Sequence, residues 1–304
     1  MTFYPARKEF ETMMDKLIHR RILLFYILFA VAAALILAIA RTMLMVNFFD
    51  CKAEMYENTT TVPVLFRILT GIVCVFLCTS YIFFRNKTVS GAAFRNVSLK
   101  TVFTSSLCCF MMFSYFIVTV YGMFANGFSQ YAVFSSASSQ ANERSRLIFL
   151  TLHLILLIPA AIYFFRVASA FKNVGNAFCV LSMITVVWLM VLLIATYLDI
   201  SVSFNSPNKI LSQICLIAVM LYMVYETRFN MGIPRLRFYL PISFMTIVLC
   251  TMFSVSNLIL STFSLIEFQH DTVFDVMMLT FALYITSRCL SFLQSGEEKN
   301  PAAA

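Results

Sequence analysis

Eight apolar stretches, each close to the ~20 residues that carry a helix across ~30 Å of hydrocarbon, constrain this chain more than anything else in it. They run approximately Ile22–Ala40, Val62–Phe84, Thr101–Phe124, Leu147–Phe165, Phe178–Leu198, Ile210–Tyr225, Leu240–Phe263 and Val273–Leu293. A transmembrane β-barrel would show segments of ~10 residues with alternating polarity, and no stretch here alternates in that way. The expected fold is therefore all-α, a polytopic helical bundle of about eight spans. Charged residues make up 12% of the chain, about half of what a soluble domain uses to cover its surface. Soluble-enzyme and nucleic-acid-binding readings are excluded on that ground, and the lipid bilayer is the first partner implied.

The first span follows some twenty residues of charged sequence, exceeds the length of a signal-peptide core and has no small-residue cleavage site after it, so it reads as a retained anchor. The basic residues give an orientation, because Lys and Arg are held on the cytoplasmic side during insertion. With eight spans and the N-terminus inside, only Arg41, Lys52, Arg67, Arg144, Arg146 and Lys209 of the 22 Lys and Arg fall outside. The other sixteen lie in inner segments. This frame puts both termini in the cytoplasm, in a plasma membrane or a bacterial inner membrane.

Three regions follow from the count. Residues 1–21 form an expected cytoplasmic amphipathic helix: Phe10, Met13, Met14, Leu17 and Ile18 recur at helical spacing, with charges elsewhere on the wheel and Pro5 suited to a first turn. Such a helix either lies along the headgroups or docks on a protein partner. Residues 22–293 hold the bundle. Residues 294–304 form a tail whose last residues, Pro301-Ala302-Ala303-Ala304, read as a cloning remnant. Segments off the membrane reach about 22 residues, too short for a folded domain. Of these, Ala125–Arg146 reads as a flexible connector.

Spans two and three resemble spans six and seven. Tyr81 precedes Gly91 by ten residues as Tyr222 precedes Gly232, and Met112-Phe113-Ser114 recurs as Met252-Phe253-Ser254. A four-plus-four parallel repeat is the architecture those matches suggest, although oily sequences produce such matches by chance.

Polar groups in hydrocarbon are costly, so each one is a candidate site. Read from the stretches above, the spans hold Arg67, His153, Asp275 and Arg288, with Arg288 close enough to the inner end to snorkel. Arg67, His153, Asp275 and Tyr121 fall near the outer level of their helices. If those helices are neighbours, the four line an outward-facing substrate pocket with Arg67 as an anion receptor. Otherwise Arg67 snorkels or pairs with Asp275, and His153 is hydrogen-bonded within the bundle. Asp271 is placed to cap the last span. The spans show no carboxylate near the midplane, no GxSxG or HExxH motif and no paired catalytic acids, so no catalytic residue is assigned. Nine cysteines include Cys78 and Cys108 at similar depth, but without a CxxC pair they read as packing residues; neither metal nor cofactor is expected. Ala30, Ala34 and Ala38 form a small-residue stripe on span one, suited to close helix contact inside the bundle or to a second subunit.

Function is expected to be that of a transporter or permease for a small apolar or weakly anionic molecule entering from an outer vestibule. A non-enzymatic receptor, sensor or subunit of a membrane complex is the alternative, with contacts through span one or the N-terminal helix. A lipid-modifying enzyme comes third.

Overall fold

The computed structural model describes the backbone of residues 4–50, 55–56, 61–84, 98–125, 140–169, 176–198, 205–233, 235–265 and 271–294. The elements in chain order are α1 (Tyr4–Phe48), β1 (Phe49–Asp50), β2 (Met55–Tyr56), α2 (Val62–Cys78), α3 (Ser80–Phe84), α4 (Leu99–Ala125), α5 (Gln140–Ala168), α6 (Asn176–Leu198), α7 (Pro207–Asn230), α8 (Leu236–Thr262) and α9 (Thr272–Gln294). Eight helical segments are long and apolar enough to cross a membrane, α2 and α3 together making the second of them. The chain is an all-α polytopic membrane protein.

Two spans exceed the hydropathy pattern by the widest margin. The first apolar segment continues to Phe48 and the sixth runs Pro207–Asn230, so Arg41 and Glu226 both lie inside the bundle. The N-terminal segment is continuous with span one in a single helix of 45 residues, about 67 Å at 1.5 Å per residue. The side chains of residues 4–19 lie outside the described residues, as do Asn58, His270 and the tail beyond Gln294. Helix α5 starts at Gln140, inside the segment expected to be a connector; Gln, Ala, Glu and Arg there are all good helix formers.

Six helices close a ring. Each of α4 to α9 packs on the next in the chain, and α9 packs back on α4. Helix α1 lies outside the ring against α8, and α2 with α3 fills the angle between α1 and α8. The packing does not divide four and four. Spans six and seven pack directly, whereas spans two and three share no comparable interface among the described residues, so the matched tyrosines and Met-Phe-Ser triplets do not mark equivalent halves.

Sequence explains the key contacts. Ala30, Ala34 and Ala38 are fully buried, and the residues that flank them on the same face, Tyr26 and Arg41, touch Phe244 and Phe253 of α8. The small-residue stripe thus closes on the chain's own eighth helix and is not available to another subunit. In span two the Thr79 and Ser80 hydroxyls bond back to the Phe76 and Leu77 carbonyls, a competition that interrupts the helix between α2 and α3. Thr79 also meets the Tyr26 hydroxyl at 2.8 Å. Between α7 and α8, Gly232 adopts φ +80°, while Ile233 N–H donates to the Arg228 carbonyl. That left-handed turn, natural for glycine, folds α8 back until the Tyr222 and Tyr239 hydroxyls lie 2.8 Å apart.

The interior of the ring is filled by aromatic side chains that reach across it. Trp188 of α6 meets Phe281 of α9, and Phe164 of α5 meets Phe281 and Tyr284 of α9.

Candidate functional site

The four residues expected to share a pocket do not converge. Arg67 is exposed on α2, and Tyr121 is 71% exposed on α4, so both face away from the core. The cause is the ring: α2 packs on α1 and α8, away from α4 and α5. His153 is fully buried on α5 between Tyr115 and Trp188, with ring centroids 5.6 and 5.7 Å away. Asp275 is buried near the start of α9 and its partner is Asn257, whose Nδ2 donates to Oδ1 at 3.0 Å; it is not bonded to Arg67. Asp271 does cap α9, accepting from the backbone N–H groups of Val273 and Phe274 at 3.0 and 3.2 Å.

Two buried polar clusters, neither expected as such, sit at opposite ends of the bundle. The far end, where α7 and α9 begin, is organised by Arg41. Its Nη1 donates to Asn257 Oδ1 at 2.9 Å, to the Phe253 carbonyl at 3.2 Å and to Ser256 Oγ. Its Nη2 donates to Asn208 Oδ1 at 2.7 Å. Because Asn257 passes its amide on to Asp275, cation and carboxylate are joined through one side chain. The Tyr56 phenol of β2 faces the Arg41 guanidinium from outside the spans. Burial pushes the Tyr56 phenol above its ordinary value of 10, with the Arg41 and Arg67 charges pulling against it. The cluster ties α1, α7, α8 and α9 together.

The other end, where α7 and α9 finish, is organised by Glu226. Its Oε1 accepts from Arg288 Nη2 at 3.1 Å and Nε at 3.2 Å, from the Tyr284 hydroxyl at 2.5 Å and from the Tyr163 hydroxyl at 3.2 Å. Asn230 Nδ2 donates to Tyr163 Oη at 3.3 Å. Arg288, expected to snorkel, is instead buried and paired with Glu226. A buried ion pair is tolerated when further hydrogen bonds satisfy it, and the two tyrosines supply them. This cluster ties α5, α7 and α9. Helices α7 and α9 belong to both clusters, which lie eighteen residues apart on α7 from Asn208 to Glu226, about 27 Å.

Between and beside these clusters lie buried polar atoms without a hydrogen-bond partner: both ring nitrogens of His153, Trp188 Nε1, Ser254 Oγ, Asp275 Oδ2 and Glu226 Oε2. Native interiors leave few such groups, and among the described residues all of them lie on helices of the six-helix ring.

Arg41 and Glu226 were missed because each stands at the edge of an apolar run and reads, taken singly, as a span end. Trp188, the only tryptophan, and Asn257 carried a signal as isolated amphipathic residues inside spans. Five of the eight described cysteines are buried, and Cys78 is exposed. Cys78 lies against the Met245 sulfur at 3.4 Å and Cys108 against the Thr280 carbonyl at 3.2 Å. Among the described residues no three His, Cys, Asp or Glu side chains are grouped to hold a metal ion. In comparisons with known protein families, curated proteins and solved structures, nothing matches this chain.

Proposed function

We propose that this polytopic membrane protein is a non-enzymatic carrier for a small, uncharged and largely apolar molecule, working by alternate opening of the two ends of the six-helix ring. One observation carries the reading: two buried polar clusters sit at opposite ends of one ring, and both are held by α7 and α9. Helices that share two such fastenings can tilt as units, so that release at one end tightens the other. The low charge of the spans suits an apolar cargo. The exposed position of Arg67 withdraws the basis for an anion receptor.

Native cysteines test this directly. Cys215, eight residues into α7, reports the far end, and Cys289, next to Arg288, reports the other; both are buried. Sealed vesicles would be treated on each side with a membrane-impermeant methanethiosulfonate and the modified peptides quantified by mass spectrometry. Arg41→Ala should speed modification of Cys215 while slowing that of Cys289, and Glu226→Ala should do the reverse. Opening of both ends by one variant, or of neither by either, would overturn the carrier reading. A receptor that uses the same clusters as resting-state locks is the second reading, favoured by the aromatic side chains that fill the ring from α6 to α9. It predicts ligand binding without reciprocal opening.

A further inference from the structure

Three of the unpartnered buried atoms fall on two adjacent rings. His153 and Trp188 stack at 27° with centroids 5.7 Å apart, and both side chains are fully buried. A neutral imidazole offers one N–H donor and one acceptor, and an indole offers one donor. The pair therefore presents two donors and one acceptor with nothing among the described residues to meet them. Each such group costs ~1–3 kcal/mol when buried alone. A cost of this size concentrated at one spot persists where something else meets the groups. Around them the walls are aromatic: Tyr115 stands edge-on to His153, and Phe281 lies 6.3 Å from Trp188. Asp275, with its unpartnered Oδ2, follows Phe274, whose ring lies 6.4 Å from Tyr115.

We propose that His153 and Trp188 form the polar floor of a binding site for a small uncharged molecule bearing a primary carboxamide on an apolar body. The carboxamide oxygen accepts from the indole N–H and its NH₂ donates to the unprotonated imidazole nitrogen, while the imidazole N–H, on the diverging edge of the ring, is left to a water. The apolar body packs against Tyr115 and Phe281. A ligand with a carboxylate would bring a net charge into a place with no cation beside it, and a purely apolar one would leave all three nitrogens unmet. Buried water is the competing occupant, since it too can satisfy polar cavities. The proposal names a ligand class for the carrier reading and rests on that reading for the ligand's way in. Equilibrium binding needs no transport, so the two fail separately.

Trp188 is its own reporter, being the only tryptophan in the chain. Its emission would be followed in detergent-solubilised wild-type protein during titration with cyclohexanecarboxamide, methylcyclohexane and N,N-dimethylcyclohexanecarboxamide. The carboxamide should give a saturable change. The hydrocarbon, which makes no hydrogen bond, and the dimethyl amide, which donates none, should bind about tenfold more weakly or worse, the loss of ~1.4 kcal/mol expected for one or two neutral hydrogen bonds. His153→Phe keeps the ring stack but removes both nitrogens and should weaken the carboxamide by a similar factor. No saturable response to the carboxamide, as water in the site would give, overturns the proposal. Equal responses to all three probes overturn it too, and this comparison on the wild type decides even if His153→Phe fails to fold.

Discussion

Removing the Glu226 carboxylate tests whether the buried ion pair holds the ring together. In the wild type one oxygen of Glu226 takes both contacts from Arg288 and the hydroxyls of Tyr163 and Tyr284. In Glu226→Leu the guanidinium stays where it is, buried, and loses its counter-charge, while two phenols lose their acceptor. An uncompensated charge of that kind costs ~3–5 kcal/mol, which is about a hundredfold or more in the folding equilibrium. Arg288→Met leaves the carboxylate stranded and should cost a comparable amount. The double variant Glu226→Leu/Arg288→Met removes both charges together, and apolar replacements of a whole buried pair are often neutral or stabilising. It should therefore be more stable than either single variant. Reversible unfolding of the purified protein in mixed micelles, followed by Trp188 emission, would measure all four species of the cycle. If the single variants cost less than ~1 kcal/mol, or if the double variant loses the sum of the two, the residues are not coupled and the reasoning fails.

Two further outcomes follow from the packing. Ala34→Phe places a ring where α1 meets α8 and should lower stability by ~1–3 kcal/mol or more, as overpacking does, whereas the same change at exposed Ile36 should fall within ~0.5 kcal/mol; the same unfolding assay compares them. Gly232→Ala meets no steric obstacle within 4 Å but must hold φ +80°, which costs ~1–2 kcal/mol for an L side chain. Hydrogen exchange should show that loss as faster opening of the amides at the α7–α8 turn.

The bundle was largely legible and the site was not, for one physical reason. A span announces itself through the average hydropathy of consecutive residues, and Val62–Phe84 was read with both ends in place. Local chemistry was equally visible, because the Asp271 carboxylate reaches backbone groups only two and three residues ahead. Arg41 and Glu226 were read as boundary residues because hydropathy weighs each side chain alone. Their membrane positions depend on Asn257, 216 residues from Arg41, and on Arg288, 62 residues from Glu226. The proposed pocket failed on the same point: Arg67, Tyr121, His153 and Asp275 read from the sequence as one level, but level does not determine which helices are neighbours. The ring puts α2 on the outside, and Arg67 with it.

Helix α1 rests on α8, and that arrangement sets a timetable on the ribosome. Translation adds about 5–20 residues per second, so the 216 residues between Arg41 and Asn257 take roughly 10–40 s to emerge at that pace. Until Asn208 follows, 167 residues after Arg41, the newborn first segment carries a guanidinium with neither of the two amides that later receive it, and Asn257 comes later still. It must keep that group at the lipid–water boundary or against the insertion machinery until the sixth and seventh segments arrive. Truncated nascent chains that stop before Asn208 should hold their first segment at a shallower depth than the finished protein does.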